Sequence, residues 1–387
     1  MGKPSAAVTV IYGDTPDTMT RQLLHVINPA SSFPRDASII LKPNLVVAKP
    51  SSSGATTAPA VVEAVIRYLR DHSFTRVSIM ESSWIGCCTK TAYKECGYER
   101  LSKTYGVKLV DLKDDPTVSY RRNGRDYVVC RSVAEADILI NMPVLKGHCQ
   151  TRMTGALKNL KGCIPDSEKR RYHTLGLHEP IAQLNTIIKP AWTLMDAICG
   201  DLGFEEGGTP SSMHRIMASQ DPVLLDSYAC TLLGLEPRQI GYLERAAELG
   251  IGRLYDPSGT GTVRELNAPE AAPQSDSSMR DITRLADERS ACSACSAALA
   301  GALNRMDDRE YKEILKLQDD ADSPLFALGQ DFAEAADPYT GHTLGIGTCC
   351  ALGFSSSVPG CPPTQDAIME AVRKLLQADS KADASKY

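Results

Sequence analysis

The sequence predicts an α/β protein, with a mostly parallel β-sheet and helices on both faces, followed by a small C-terminal module of helices and loops. Over about the first two hundred residues, short apolar runs rich in β-branched residues alternate with segments of helical periodicity, which is typical of parallel strands joined by crossover helices. After Gly252 the composition changes and separates the two parts. A chain of 387 residues is long enough for both parts to bury a core.

Three regions follow from this division. We expect an α/β domain over residues 1–256 and a cysteine-rich module over residues 281–387. Between them, residues 257–280 are rich in serine, proline, alanine and charged residues without a clear period, which predicts a linker or surface excursion.

The individual elements follow from apolar spacing and turn residues. The predicted strands are Val8–Tyr12, Ser38–Leu41, Val77–Met80, Val107–Asp111, Ile138–Ile140 and Thr193–Asp196. The predicted helices are Ala60–Arg70, Thr91–Tyr105, Pro222–Leu233, Cys292–Met306 and Asp366–Leu376. Asn123-Gly124 supplies the positive φ angles of a tight turn, which predicts a hairpin over Ser119–Cys130.

Composition limits the function classes. The thirteen cysteines are irregularly spaced and form no dense disulfide framework, so we expect a reducing compartment. The sequence shows neither the apolar core of a signal peptide nor a run long enough to span a membrane, which predicts a cytoplasmic protein without membrane contact. A net charge of −5 argues against broad nucleic-acid binding.

Cysteines of the C-terminal module have the spacing of cluster ligands. They occur in Cys292-Ser-Ala-Cys295, Gly345-Ile-Gly-Thr-Cys349-Cys350 and Gly360-Cys361-Pro-Pro. Two cysteines two residues apart can bind a metal cluster from a single turn, while remote thiolates arrive by folding. The neighbouring glycines allow close approach of the backbone, and Pro362 turns the chain away. The pattern favours an iron–sulfur cluster, [4Fe–4S] by preference, bound by Cys292, Cys295, Cys349 and Cys361, with Cys350 as the alternative to Cys349.

Three other interpretations of these cysteines stay open. Buried cysteines behave as small hydrophobic residues, and a Cys-x-x-Cys pair can be a redox dithiol or disulfide. Structural zinc is the third alternative, although zinc ribbons usually show two closely spaced pairs of cysteines and this tail has a single pair.

A second constellation is basic and lies in the middle of the chain. Residues 146–178 contain seven lysines and arginines against two acids. Glycines and prolines are interleaved with the charges, which indicates a shaped loop at the end of a strand, where open α/β sheets place ligands. We expect an anionic ligand, a carboxylate or a phosphate. The alternative is a solvated basic face. The candidate catalytic residues here are Lys146, His148, Lys158 and His173, although a single histidine is more often a hydrogen-bonded structural residue.

Ends of other predicted strands supply further polar side chains. The candidate substrate-binding residues are Lys42, Asn44, Thr56, Thr57, Glu81, Ser82, Asn159 and Lys161. Thr56 or Thr57 could instead cap the following helix. A later loop with Asp196, Asp201, Glu205 and Glu206 among glycines is either a divalent-cation site or a solvated loop.

Five of these motifs, in this order, resemble the family known as domain of unknown function 362. They are Lys42-Pro-Asn44, Gly54-Ala-Thr-Thr57, Asn141-Met-Pro-Val-Leu-Lys146-Gly-His148, Gly155-Ala-Leu-Lys-Asn-Leu-Lys161-Gly162 and Asp221-Pro-Val-Leu-Leu-Asp226, and the likeness covers about residues 35–255. The resemblance implies a cytoplasmic α/β protein that is often found with iron–sulfur modules. The usual ferredoxin repeat of cysteines is absent, and the tail is similar to a distinct one that follows this domain. A fainter likeness, by analogy, is to the nickel-dependent lactate racemases.

Together these observations predict an iron–sulfur redox enzyme or electron-transfer protein that acts on an anionic small molecule, with a redox partner such as a ferredoxin. Two alternatives stay open. One is a non-redox isomerase, lyase or ligase with a structural metal. The other is a scaffold that carries a cluster to an acceptor.

Overall fold

The computed structural model describes residues 7–201, 205–207, 210–259, 262–270, 280, 282, 284–291, 293–319, 321, 323–332, 339, 343–351 and 353–384. The chain divides into two compact units. The α/β unit comprises Met1–Gly147, Met153–Tyr172 and Gly176–Ser278, and the cysteine-rich unit comprises His148–Arg152, His173–Leu175 and Met279–Tyr387.

Most strands precede residue 270. They are β1 Val8–Tyr12, β2 Ile39–Pro43, β3 Val77–Glu81, β4 Lys108–Asp111, β5 Thr117–Arg122, β6 Arg125–Cys130, β7 Ile138–Met142, β8 Lys146–His148, β9 Arg152–Thr154, β10 Trp192–Asp201, β11 Pro210–Ser219 and β12 Val263–Leu266. Among the described residues, eight of them form the large sheet, in the order β12-β1-β11-β10-β7-β2-β3-β4. Strand β11 runs antiparallel to β1 and β10, and the other neighbours are parallel, so the sheet is mostly parallel.

Helices cover both faces of the large sheet. They are α1 Pro16–Ile27, α2 Pro59–Asp71, α3 Thr89–Glu95, α4 Tyr98–Tyr105, α5 Arg131–Ala134, α6 Ala156–Asn159, α7 Asp166–Thr174, α8 His178–Ile187, α9 Pro222–Leu232 and α10 Gly241–Glu248. Successive side chains of a strand point to opposite faces. Accordingly, Ile39 and Leu41 of β2 pack with α1 and α2, while Ile40 packs in a second apolar cluster with α8, α9 and α10. The predicted fold class is confirmed.

The cysteine-rich unit contains a small parallel sheet, which the predicted module of helices and loops did not include. Its strands are β13 Ala286–Glu288, β14 Phe326–Leu328, β15 Leu344–Ile346 and β16 Ser357–Val358, paired in that order. Its helices are α11 Ser293–Arg305, α12 Asp308–Asp319 and α13 Gln365–Ala384. Within the ranges described above, no helix of the protein is both long and apolar enough to cross a membrane.

Several predicted elements differ in detail from the structure. The helix predicted over Thr91–Tyr105 is two helices, α3 and α4, because Gly97 adopts a φ of +80° that interrupts helical geometry. Strand β12 lies inside the predicted linker and forms an edge of the large sheet beside β1. The predicted hairpin is present as β5 and β6, and both residues of its Asn123-Gly124 turn have positive φ.

Candidate functional site

The order of strands in the large sheet marks a position for a ligand. After β2 the chain adds β3 and β4 on one side, and it later returns to place β7 and β10 on the other side of β2. Ligands of open parallel sheets bind outside the carboxyl ends of the strands at such a reversal of direction. The candidate site is therefore the carboxyl ends of β2, β3 and β7, together with α6.

A buried ion pair lies at this position. The Lys42 ammonium is 2.9 and 3.1 Å from the two carboxylate oxygens of Glu81, and both side chains are almost fully buried. The carboxylate also accepts hydrogen bonds from the backbone N–H groups of Leu45 and Ser82. A Cβ atom on Gly162 would lie 2.1 Å from Glu81 Oε1, so only glycine fits against the pair. Lys42 and Glu81, which the sequence predicted to contact substrate, thus bind each other.

Three buried asparagines form a directional chain beside the ion pair. Asn44 Nδ2 donates to Asn159 Oδ1 at 3.0 Å, Asn159 Nδ2 donates to Asn141 Oδ1 at 2.8 Å, and Asn141 Nδ2 donates to the carbonyl of Ala156 at 2.8 Å. Lys146 starts the chain by donating to Asn44 Oδ1 at 3.2 Å. Hydrogen-bonded chains of this kind polarise one another and fix each amide in one orientation.

Lys146 is 1% exposed and donates three hydrogen bonds. Its ammonium lies 2.6 Å from the carbonyl oxygen of Ala55, 2.7 Å from that of Glu205 and 3.2 Å from Asn44 Oδ1. Burial lowers the pKa of this lysine to about 7, although nearby carboxylates oppose the shift. An ammonium group has three N–H donors, and in this structure all three serve the protein itself.

The two predicted threonines also bond within the protein. Thr57 Oγ1 donates to the Met142 carbonyl at 2.7 Å and accepts from the Asn44 backbone N–H, while Thr56 Oγ1 donates to the Lys49 carbonyl. Neither caps a helix, because α2 begins after Ala58 and has no side-chain cap. The helix-cap alternative is therefore wrong. The Thr57 hydroxyl instead ties the loop before α2 to β7 and to the residue after β2, while the Thr56 hydroxyl bonds within that loop.

The short helix α6 carries Lys158 and Asn159, and Asp226 binds the backbone N–H groups of its first turn. The Asp226 carboxylate accepts from the backbone N–H groups of Ala156 at 2.6 Å and Leu157 at 3.0 Å. Burial raises the pKa of Asp226 to about 7. A Cβ atom on Gly155 would lie 2.2 Å from its Oδ1, which explains the glycine there. Lys158 is buried near Thr154, with 3.5 Å between Nζ and Oγ1, and Lys161 follows half-buried.

Sequence reasoning missed Lys169 as part of this region. Its ammonium contacts Ser82 Oγ and donates to the carbonyl of Ser83 at 2.7 Å and to Asp166 at 3.0 Å. Burial lowers the pKa of Lys169, and Asp166 opposes that shift. Lys169 could not be distinguished in the sequence from the neighbouring exposed lysines and arginines. Gly155 and Gly162, in contrast, indicated close packing, and they lie against Asp226 and Glu81.

The predicted histidines belong to the cysteine-rich unit, whereas the predicted lysines belong to the α/β unit. His148 is buried, and its Nδ1 accepts from the backbone N–H groups of Gln150 at 3.1 Å and Thr151 at 3.3 Å. A neutral ring that accepts at Nδ1 carries its proton on Nε2. His173 is half-buried.

In the cysteine-rich unit, the first turn of α11 and two later segments, each with a predicted cluster ligand, approach one another. A Cβ atom on Gly347 would lie 2.7 Å from the sulfur of Cys295, and the φ of Gly347 is +97°. Thr348 donates its backbone N–H to the Gly360 carbonyl at 2.9 Å, and the Gly360 N–H returns a bond to Thr348 Oγ1 at 3.2 Å. These contacts bring together the segments that contain Cys295, Cys349 and Cys361.

The four predicted ligands and their alternative differ in setting. Cys295 is buried, Cys349 is half-buried and Cys361 is exposed, while Cys292 lies outside the described residues. The Cys350 thiol is fully buried and donates to the Ala327 carbonyl at 3.3 Å, and burial raises its pKa. No disulfide links any two cysteines in the part of the chain that the structure describes.

These features define the class of the protein: a mostly parallel α/β protein with a polar, lysine-rich site at the strand ends and a separate cysteine-rich unit. Residues 39–231 match the model of the family described as a domain of unknown function (DUF362). The match confirms the family resemblance for that segment, while the iron–sulfur character of the tail stays a prediction.

Known proteins that are similar to this chain include a curated relative and a solved structure. The "Thylakoid-associated protein sll1697" of Synechocystis sp. is 25% identical over 262 residues, which cover 66% of this chain and 78% of that protein. Among solved structures, the lactate racemase apoprotein from Thermoanaerobacterium thermosaccharolyticum matches with a TM-score of 0.40 and 11% identity over 58% of this chain. That match spans 56% of the racemase, little more than half its length.

Proposed function

We propose that the cysteine-rich unit binds a [4Fe–4S] cluster through Cys292, Cys295, Cys349 and Cys361, and that the protein is a redox enzyme or electron-transfer protein. The observation that carries this proposal is the approach of the Cys295 sulfur to Gly347, two residues before Cys349. A side chain at Gly347 would fill the space beside that sulfur. Three thiol-bearing segments held in this way suit a group that needs several sulfur ligands.

The setting of the adjacent cysteines favours Cys349 as the ligand. Cluster ligands bind as thiolates, and a thiol with a raised pKa that donates to a carbonyl is poorly suited to that role. Cys350 has both properties. Bound in this unit, an iron–sulfur cluster would supply one-electron chemistry, and a ferredoxin-like protein would be its redox partner.

We extend the proposal to the α/β unit, which would bind an anionic small molecule, a carboxylate or a phosphate, at the strand ends. Lys158, Asn159 and Lys161 follow Gly155 on one short segment, and this segment starts at the strand ends where open sheets bind ligands. Lys42 and Lys146 would position this segment through the buried ion pair and the asparagine chain.

The decisive test is anaerobic purification followed by iron and acid-labile sulfide analysis, with EPR after reduction. We expect about four irons and four sulfides per chain, little cluster in Cys349→Ala and a near-normal cluster in the matched variant Cys350→Ala. Stoichiometric zinc without sulfide would contradict the proposal. A cluster that no reductant changes would favour a non-redox isomerase, lyase or ligase with a structural metal, and rapid transfer to an apo-acceptor would favour a cluster carrier.

Anion binding is tested separately, by calorimetry with inorganic phosphate and with oxalate as probes. We expect binding by the parent protein, loss of at least about 1.5 kcal/mol of binding energy in Lys158→Met because a charge-assisted hydrogen bond is removed, and no loss in Lys108→Met at an exposed position of β4. Equal affinities of the two variants would contradict this part of the proposal.

A cytoplasmic location completes the proposal, and cell fractionation tests it. Recovery of the protein in the soluble fraction is expected at both low and high salt. Recovery with membranes, as the description of the Synechocystis relative would suggest for that protein, would contradict a cytoplasmic location.

A further inference from the structure

The surroundings of the Lys146 ammonium have the composition of a cation site. Three oxygens face it, the carbonyls of Ala55 and Glu205 and the side-chain oxygen of Asn44, at 2.6 to 3.2 Å. Proteins use carbonyl and amide oxygens of this kind to replace the water around a monovalent cation. The three oxygens come from separate segments of the α/β unit: the end of β2, the loop before α2 and the turn after β10.

Negative charge surrounds this group of oxygens. The carboxylates that favour the charged form of Lys146 are those of Glu205, Glu206, Asp201 and Glu81, in decreasing order of effect. Burial of the side chain opposes them and is the largest effect on its pKa. The ammonium therefore adds one positive charge to this acidic region, where Lys42 pairs with Glu81, in addition to making its three hydrogen bonds.

The backbone of the loop before α2 packs closely against β10 and against the turn after it. A Cβ atom on Gly54 would lie 2.5 Å from the carbonyl carbon of Gly200, and one on Gly207 would lie 2.4 Å from the Ser53 oxygen. Backbones at this distance leave no room for intervening side chains. Two ammonium groups join these segments: the buried Lys146 lies between the carbonyl oxygens of Ala55 and Glu205, and the exposed Lys49 donates to Glu206 and Gly207.

We propose that the oxygens around Lys146 Nζ form a monovalent-cation site whose cation the chain itself supplies, and that Lys146 is a positioning residue and does not contact substrate. The ammonium joins the Gly54–Thr57 loop and the 205–207 turn to the end of β2. It also orients the amide of Asn44, from which the chain of asparagines runs to α6. This inference is independent of the proposed cluster and of any anionic ligand.

Chemical rescue tests the proposal. Lys146→Ala removes the ammonium and leaves a cavity beside the oxygens, whereas Lys146→Met fills the same space with an uncharged methyl group. Thermal unfolding is followed by tryptophan fluorescence in ammonium, methylammonium, potassium or tetramethylammonium chloride at equal ionic strength. Tetramethylammonium is the control for ionic strength, because it has no N–H donor and is too large for the site.

We expect Lys146→Ala to unfold about 10 °C below the parent protein, because three buried oxygens lose their hydrogen-bond donor and the acidic region loses one positive charge. Ammonium, methylammonium or potassium should restore about half of that loss, and tetramethylammonium should restore none. The parent protein and Lys146→Met should show no preference among the salts. Lys49→Ala is the matched control, since this exposed lysine donates to the neighbouring carbonyls of Glu206 and Gly207. The unfolding temperature of this variant should respond equally to all the salts.

Equal responses of Lys146→Ala to ammonium and tetramethylammonium would overturn the proposal. If the variant does not fold during expression, it is refolded from urea in each salt and the folded yield is measured. A yield that is higher in ammonium supports the cation site, and equal yields, including none in either salt, contradict it.

Discussion

The α/β unit and the cysteine-rich unit differ in how their charged, amide and thiol side chains are arranged. At the strand ends of the α/β unit, charged and amide groups are bound to one another, as in the Lys42–Glu81 pair and the chain that begins at Asn44. The cysteine-rich unit has strands of two or three residues and brings the first turn of α11, with Cys295, close to the segment of Gly347 and Cys349. The first arrangement is complete within the chain, whereas the second suits an added group. We therefore expect the two units to respond differently to substitution and to metal removal.

Separate reporters make this comparison measurable. Both tryptophans of the sequence, Trp84 and Trp192, lie in the α/β unit. Tryptophan fluorescence therefore follows that unit, while the absorbance of a bound cluster or hydrogen exchange in β15 follows the cysteine-rich unit.

The largest effect should come from breaking the buried ion pair. Glu81→Gln leaves the Lys42 ammonium buried without a countercharge, and we expect the free energy of unfolding to fall by about 3–5 kcal/mol. Urea unfolding followed by tryptophan fluorescence measures it. Glu313→Gln, in an exposed pair with Arg309, is the control and should change stability by less than about 0.5 kcal/mol. Similar losses in both variants would show that the buried pair has no special role.

Removing the metal should affect the other unit. A bound group whose free concentration is about a hundred times its dissociation constant stabilises the folded form by about 2.7 kcal/mol, and we take this value for the cluster. Treatment with ferricyanide and EDTA should then lower the protection of the Leu344–Ile346 amides by about 100-fold in hydrogen exchange. Unchanged protection after complete loss of iron would contradict a stabilising role for the cluster.

A glycine pair tests how tightly the strand-end region is packed. Gly155→Ala places a methyl group against the Asp226 carboxylate, and we expect a loss of about 2–3 kcal/mol from overpacking. Gly176, with a φ of +73° and open space around its Cα, is the matched position, and its replacement by alanine should cost about 1 kcal/mol. A loss at Gly155 no greater than that at Gly176 would mean that the carboxylate moves freely.

The most gradual effect is a pH dependence from Asp226. Burial raises its pKa to about 7, so the native protein holds a proton that the unfolded chain releases near pH 4. The resulting stability is complete below the pKa of an unfolded aspartate and is lost as the pH rises through 7. The slope contributed by this group is at most about 1.4 kcal/mol per pH unit.

Asp226→Asn has no proton to lose, so its free energy of unfolding should change less than that of the parent protein between pH 5 and 7. Asp196, whose pKa burial raises to about 6, acts in the same direction in both proteins. Lys146 acts in the opposite direction above pH 7, because its pKa is lowered to about 7. The measurement is therefore the free energy of unfolding in urea, plotted against pH for both proteins. Parallel plots would rule out Asp226 as the source of the pH dependence.

The sequence predicted where the polar groups lie more successfully than which groups they contact. Lys42 and Glu81 were placed at neighbouring strand ends from the apolar runs before them, and the family motifs identified the segment that matches residues 39–231. Their mutual ion pair was missed, because a pattern along the chain shows which edge a side chain reaches but not its partner from a distant segment. Strand β11 was missed because Ser211, Ser212 and His214 interrupt the alternation that marks a strand. The thiol-bearing loops were identified because cysteine and glycine at short spacing have few other roles.

The direction of the asparagine chain has an evolutionary consequence. Each amide donates to the next, from Lys146 through Asn44, Asn159 and Asn141 to a backbone carbonyl. Replacing one asparagine by aspartate would place two acceptors face to face, and replacing one by leucine would leave its neighbours without partners. Relatives should therefore keep all four residues or exchange several together, and sequences with single exchanges among them should be rare.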